Sequence, residues 1–487
     1  MSLKKKGLAG LIWASAEQFG NKVVQFAIGI ILARLLEPSE FGLIGMITIF
    51  ISVSEGIASG GFVQALIRKK GASEKDYNTA FYYNLVVSLF LYAIVFFFSP
   101  YIAGFYNEIR LERLVQALML VVIIDAIAFV QRAKLIKEID FKSLAKASVI
   151  SQIIGGIAGI VAAYVGLGVW SLVIKMVLTR LINTVNLLIL NFWIPKLKFS
   201  KSSFFELFGF GSRILLTQLI ERIYYNIYLV IIGKFYSSAE LGFYTRANMF
   251  KSLISEQITS ITQKVSLPLL SDIQNEEERL KNAFNKLVGT IFFVTSFLLI
   301  GLIPMSKALV LFLIGDKWLP SVPFLQLLAV SGIMYPVGEI NLNILQVKGR
   351  ADYILKLQSI KKLISIPIII VGVYQGLMYL VAGIVLISFL DFFSSSYYSE
   401  RFIGFSGTKQ LKKAAPYIFV FSVIAMLTGA IGHAISNLHP GLVLASQVFF
   451  YLTVSIITFE IYKTTEYNEV KSVIYSYIRK IKKQKKN

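Results

Sequence analysis

Fourteen stretches of about 20 mostly apolar residues recur along the chain, and they restrict what it can fold into. A helix needs about 20 such residues to cross the ~30 Å hydrocarbon core of a bilayer. In lipid, every backbone N–H and C=O must be bonded inside the spanning structure, so runs of this length predict transmembrane helices. The runs lie at 11–33, 42–66, 80–103, 113–131, 144–164, 168–190, 206–232, 242–268, 285–304, 321–346, 353–375, 378–399, 414–434 and 441–462. The predicted fold class is all-α integral membrane, with 14 transmembrane helices.

The loops between the runs orient them. One set carries Lys4–Lys6, Arg68, Lys69, Lys70, Lys75, Arg132, Lys134, Lys137, Lys142, Lys196, Lys198, Lys201, Lys348, Arg350, Arg401, Lys409, Lys412 and Lys413. The opposite set carries Arg34, Arg110, Arg113, Lys234, Lys307 and Lys317. Cytoplasmic loops collect Lys and Arg, so both termini are expected in the cytoplasm. The same asymmetry accounts for the formal net charge of +22, which in a soluble chain would suggest nucleic acid; no nucleic-acid partner is expected here. Met1-Ser2-Leu3-Lys4-Lys5-Lys6 runs straight into the first span, without a small-residue cleavage site, so no cleavable signal peptide is expected. The chain has no cysteine, which excludes disulfides and thiol chemistry. It has no GxxxxGK[ST] pattern, so ATP hydrolysis is not expected.

The sequence echoes itself at an offset of 200 residues. Gln18 meets Gln218, Lys22 meets Arg222, Arg34 meets Lys234, Glu40 meets Glu240 and Gly42 meets Gly242. After a drift of a few residues, Asn78-Thr79-Ala80-Phe81 lies over Lys281-Asn282-Ala283-Phe284, and Pro100 over Pro304. Six spans per half keep the halves parallel, related by a pseudo-two-fold axis along the membrane normal, with a substrate site between them. The expected domains are an N-lobe (1–190, spans one to six), a cytoplasmic linker (191–205), a C-lobe (206–400, spans seven to twelve) and two extra C-terminal spans (401–462). A basic amphipathic cytoplasmic tail (463–487) follows. In that tail Val470, Val473, Ile474, Tyr477, Ile478 and Ile481 alternate with Lys471, Arg479, Lys480, Lys482 and Lys483, a pattern suited to the anionic leaflet.

The turn Arg34-Leu35-Leu36-Glu37-Pro38-Ser39-Glu40-Phe41-Gly42-Leu43 resembles the ARLLGPxEFGxY turn after the first span of polysaccharide exporters. These are the Wzx-type flippases of the multidrug/oligosaccharidyl-lipid/polysaccharide superfamily. Ala239-Glu240-Leu241-Gly242-Phe243-Tyr244 echoes it. Within that family the chain looks most like the branch with colanic-acid and teichuronic-acid exporters. Glu37 stands where the family often has Gly. The resemblance implies an undecaprenyl-pyrophosphate-linked oligosaccharide as substrate, moved to the outer leaflet for capsule, O-antigen or exopolysaccharide assembly. It implies neighbouring polymerase and glycosyltransferase machinery, and the polyprenyl tail is expected to stay in lipid beside spans 13 and 14.

Such cargo needs cations for phosphate and hydrogen-bonding groups for sugars. Charges at membrane depth cost about 2.5–3.5 kcal/mol on insertion scales, so they tend to face wet cavities or partners. The candidate headgroup ligands are Lys22, Arg222, Lys251, Arg213, Arg246 and Lys264, with Lys175 and Arg180 as further cations; Arg suits phosphate through its two-pronged donor geometry. Gln18, Asn21, Gln218, Asn248, Ser252, Ser255 and Thr259 are the candidate glycan lining. The last four share one stripe of span eight with Thr245 and Gln263. Glu17, Asp125 and Glu339 are candidates for ion coupling, and Glu55, Glu221, Glu256 and Asp391 for neutralising nearby cations. No metal or cofactor is expected; H+, Na+ or the membrane potential would drive transport. Gly56-x3-Gly60, Gly155-x3-Gly159 and Gly372-x3-Gly376 predict close helix packing. Tyr101, Tyr106 and Trp318 are expected in the interfacial belt.

Two other function classes compete. A drug or cation antiporter of the same superfamily would favour an acidic cavity. A membrane polymerase or glycosyltransferase would need sizeable catalytic loops, whereas the largest external loops here have roughly ten to fifteen residues, too few for a folded domain; an enzyme is therefore not expected.

Overall fold

The computed structural model describes the backbone of residues 3–484. The side chains of 3–12, 14–16, 351, 355, 473, 474, 476–478 and 480–484 lie outside the described set, and with them much of the proposed apolar stripe of the tail. All regular structure among the described residues is helical. Ten helices are long and apolar enough to cross a membrane, or eleven if one bent pair is a single span. The bent pair is α5 (Leu111–Ile127) and α6 (Phe129–Lys137), which meet at 48°. The run expected at 113–131 is therefore broken at Ala128, and Arg132, Lys134 and Lys137 sit on a helix rather than in a loop.

The run expected at 42–66 is interrupted by turns at Gly60 and Gly61, and the other expected spans fall on helices. The first unit, Met1–Thr245, contains α1 (Leu3–Leu35), α2 (Pro38–Ser59), the short α3 (Phe62–Arg68), α4 (Glu74–Tyr106), α7 (Phe141–Tyr164), α8 (Trp170–Leu190) and α9 (Lys201–Phe235). The second unit, Arg246–Asn487, takes most of α10 (Ser238–Asp272), then α11 (Glu277–Leu313), α12 (Ser321–Val347), α13 (Ala351–Gln375), α14 (Leu377–Ile403), α15 (Gly407–Ala434), α16 (Pro440–Tyr462) and α17 (Thr465–Gln484). Helices α1, α10 and α13 are long enough to span but are not among the ten.

Local chemistry sets the helix ends. Glu37 caps α2, with Pro38 in its first turn, and its N–H is bonded by Glu40 Oε2 at 2.7 Å. Ser237 and Glu240 repeat this box at the start of α10, at 2.9 Å and 3.2 Å. These glutamates are the third residues of capping boxes, which satisfy N–H groups a helix start leaves open. Gly60, at φ 55°, ends α2 in the left-handed region, where a missing Cβ removes the strain.

In the first unit α9 packs on α2, α3 and α4. Phe62, Leu66, Phe81, Val130, Trp193 and Leu207 form one core there. The segment before α9 is tied to the start of α4: Trp193 Nε1 donates to Glu74 at 2.9 Å, and Lys196 N to Asn78 at 2.7 Å. In the second unit, Phe293 of α11 meets Phe421 of α15 and Phe459 of α16 with ring centroids 5.3 and 4.9 Å apart. Tail helix α17 docks beside them through Lys413–Glu466 (3.0 Å) and Lys286–Glu469 (2.9 Å).

Candidate functional site

In the first unit, helices α1, α6, α7 and α8 enclose a polar cavity of about 370 Å³. Its wall carries the cations Arg132, Lys175 and Arg180 and the amides Asn21, Gln25, Gln152 and Asn183. Small residues make room for it: a Cβ on Gly155 would lie 2.1 Å from Thr179 Oγ1, and one on Gly159 would lie 2.7 Å from Lys175 Cβ. Asn21 donates to Ser148 Oγ at 2.6 Å, and Arg132 to Asn183 Oδ1 at 3.1 Å. The buried Asn21 Oδ1 and Thr179 Oγ1 have no hydrogen-bond partner, an arrangement that suits a polar guest.

Arg180 ties this wall to an ion-pair network. Arg180 bonds Glu55 of α2 at 3.2 Å and Asp125 of α5 at 3.1 Å. Arg222, from α9, lies across Gly56, within 3.7 Å of Glu55, and donates to the Ser52 carbonyl at 2.7 Å. Arg132 adds its field at Glu17 and Glu55. Charges in a dry interior persist when paired and hydrogen-bonded, and each member here has an opposite charge in reach. At the end of α3, Lys69 reaches Asp76 at 2.9 Å and Glu206 at 2.7 Å; the Glu206 hydrogen bond, above all, holds its ammonium above the ordinary lysine range.

The second unit holds another polar cavity, of about 400 Å³, lined by Glu256, Thr259, Ser260, Gln263, Lys264 and Tyr335. Gln263 donates to Glu339 at 2.9 Å. Deeper, Lys361 of α13 pairs with Asp391 of α14.

The structure thus brings Asn21 to the first cavity, Thr259 and Lys264 to the second with Glu339 beside it, and Arg222 and Asp125 to the ion-pair network. The remaining candidates are spread more widely. Lys22 is half-buried and Gln18 and Arg213 are exposed; Gln218, Asn248 and Glu17 are half-buried. Lys251 lies along Gly332, its ammonium 5.9 Å from the Tyr335 ring centre. Arg246 is 6% exposed and stacks 5.5 Å over Trp318. The hydroxyls of Ser252, Ser255 and Thr259 each donate to a carbonyl of their own helix, at 3.1, 3.2 and 2.8 Å. Trp318 is fully buried and Tyr106 is 5% exposed, so neither is a belt residue; Tyr101 is exposed as expected. Gly60 and Gly376 sit at left-handed turns, whereas Gly56, Gly155, Gly159 and Gly372 allow close approach.

Sequence reading missed Arg132, because a positive charge near a span end looks like an orientation signal. Gln25, Gln152 and Asn183 carried no motif.

Residues 31–323 match the family described as "Polysaccharide biosynthesis protein". The chain is 27% identical to the teichuronic acid biosynthesis protein TuaB of Bacillus subtilis (strain 168), over 72% of this chain and 73% of that one. It is 25% identical to the lipopolysaccharide biosynthesis protein WzxC of Escherichia coli (strain K12), over 76% of each. Its fold is similar to that of the lipid II flippase MurJ in an inward closed conformation. The TM-score is 0.73 at 14% identity, covering 93% of this chain and 100% of that one.

Proposed function

The chain belongs to the polysaccharide biosynthesis protein family, and we propose that it is a flippase for undecaprenyl-pyrophosphate-linked oligosaccharides. It moves repeat units from the cytoplasmic to the outer leaflet of the bacterial plasma membrane, for exopolysaccharide, capsule or O-antigen assembly. The observation that carries this reading is the first-unit cavity, which sets Arg132, Lys175 and Arg180 beside four side-chain amides. Guanidinium groups bind phosphate oxygens in pairs, and amides match sugar hydroxyls, so the cavity suits a phosphorylated glycan better than a lipophilic cation. Lys22, Arg213, Arg222, Arg246, Lys251 and Lys264 are proposed to extend the cationic route. Gln18, Gln218, Asn248, Ser252, Ser255 and Thr259 line it with Asn21.

Fourteen spans in two parallel six-helix repeats remain part of the proposal. Supporting it, Gly42 and Gly242 occupy reciprocal positions: a Cβ on Gly42 would fall 1.7 Å from the Ser238 oxygen, and one on Gly242 1.9 Å from the Pro38 oxygen. Pro38 and Ser238 are themselves 200 positions apart. With both termini cytoplasmic, repeats of this kind carry cargo by alternating access. An inside-negative potential favours outward movement of an anion by about 2.3 kcal/mol per charge per 100 mV; Glu17, Asp125 and Glu339 are the proposed groups for any added ion coupling.

The test is a proteoliposome assay with a fluorescent lipid-linked oligosaccharide and a membrane-impermeant quencher or glycosidase. Protein-dependent loss of protected substrate, with the lipid chemically unchanged, is the expected result. Relocation no faster than in empty vesicles would overturn the proposal, and a covalent change in the lipid would indicate an enzyme.

A further inference from the structure

A second concavity of the first unit differs in character from the polar ones. It is a groove of about 580 Å³ with an almost wholly apolar lining, formed by α2, α4 and α9. Ile49, Val53 and Ile57 make one wall, and Leu91, Phe98 and Phe105 the other. From Leu91 to Tyr106 it follows α4 for about 22 Å at ~1.5 Å per residue, most of the ~30 Å hydrocarbon thickness. Phe98, Tyr101 and Phe105 are exposed along it.

One end of the groove is polar. Lys234 sits at the rim, its Nζ 2.5 Å from the Phe105 carbonyl and 4.7 Å from the Phe105 ring centre. Tyr106, which lines the same end, buries a hydroxyl that has no hydrogen-bond partner. An apolar trough with a cation at its end is complementary to an amphiphile with a long hydrocarbon chain and an anionic head. On the far side of α2, Ser52 and Glu55 hold Arg222, so the trough runs alongside the charged centre.

We propose that this groove, between α2, α4 and α9, holds the polyprenyl chain of the lipid-linked substrate, with its phosphate end at Lys234. The chain thus enters lipid beside the first unit rather than beside spans 13 and 14. This rests on the flippase reading and adds to it where the tail goes. Alternating Ile, Val and Phe side chains make an uneven wall that suits a methyl-branched chain, and the Lys234 end is external in the proposed topology. The head is therefore captured where outward release takes place.

The test uses the full chain in proteoliposomes with a diazirine-bearing polyprenyl phosphate, photolysis and peptide mapping. Labelling is expected to concentrate on Ile49–Ile57 and Leu91–Tyr106. Unlabelled polyprenyl phosphate should compete it away, excess phosphatidylglycerol should not, and neutral polyprenol should compete less well. Val53→Trp is expected to abolish the labelling. Lys234→Gln is expected to erase the advantage of the phosphate over the alcohol while labelling persists, a readout that does not depend on the tryptophan variant folding. Even labelling of all lipid-facing helices, labelling centred on α15 and α16, or equal competition by phosphatidylglycerol would overturn the groove assignment and leave the flippase reading standing. Selective groove labelling in a protein that moves no lipid-linked oligosaccharide would do the reverse.

Discussion

Arg180 is clasped by carboxylates from two helices, so its removal would leave Glu55 and Asp125 together with Arg222 as the remaining contact. Arg180→Met should lower the Tm in detergent, and Arg180→Met with Glu55→Gln should recover part of the loss. A coupling of about 0.5–3 kcal/mol is expected for contacting charges; strictly additive effects in thermal unfolding would show that the pair is not energetically linked. Replacing Lys22 and Arg222 together with Ala should stop export in cells while the protein is still made. Retained export from a well-expressed double variant would remove both from the cationic route. At this scale residue type was easier to foresee than partnership. The intramembrane charges stood out at once against apolar runs, whereas the ring Glu55–Arg180–Asp125 joins residues up to 125 positions apart, and nothing local in the sequence marks such a pairing.

Helix starts carry their own instructions. Glu37-Pro38 with Glu40, and Ser237 with Glu240, are capping boxes, so Glu40 and Glu240 recur at the same offset for a structural reason. Glu40→Gln retains the acceptor and should be nearly neutral, whereas Glu40→Ala should cost about 1 kcal/mol, read as a shift in Tm. The glycines two residues on act by contact instead. Gly42→Ala and Gly242→Ala should each reduce folded yield severely in size-exclusion profiles, because each Cβ would fall inside a backbone oxygen's radius. Gly104→Ala, with nothing within 4 Å of its Cβ, should match the parent. Equal tolerance at all three would mean the α2 and α10 starts do not touch. The turn around Gly42 was legible as a motif, but its seat against Ser238 was not, because that contact is made across nearly 200 residues.

The whole molecule poses the question of span number. Hydropathy alone admits ten or eleven spans among the described residues, and the proposal needs fourteen. The chain has no native cysteine, so single cysteines report topology directly. With Glu108→Cys and Ser436→Cys, an impermeant maleimide should react from outside; with Lys198→Cys it should react only after permeabilisation. Labelling of residue 108 and residue 436 from opposite faces would break the fourteen-span count. Three helices outside the ten, α1, α10 and α13, carry much of the polar load, including Asn21, Gln263, Lys264 and Lys361.

The sequence by itself determined the environment, the helical class and the family. Each follows from composition, period or a short contiguous motif: apolar runs of membrane length, positive loops and the Arg34–Leu43 turn. Tertiary structure alone decided which charges are neutralised and which stand at a cavity wall, that Trp318 and Tyr106 are buried rather than interfacial, that α5 bends at Ala128, and that an apolar trough ends at Lys234. The physical reason is that within a bilayer every helix offers much the same apolar surface to lipid and to protein. Close approach at glycines and pairing between distant helices then settle which face turns inward, and that information is held by no single stretch of chain.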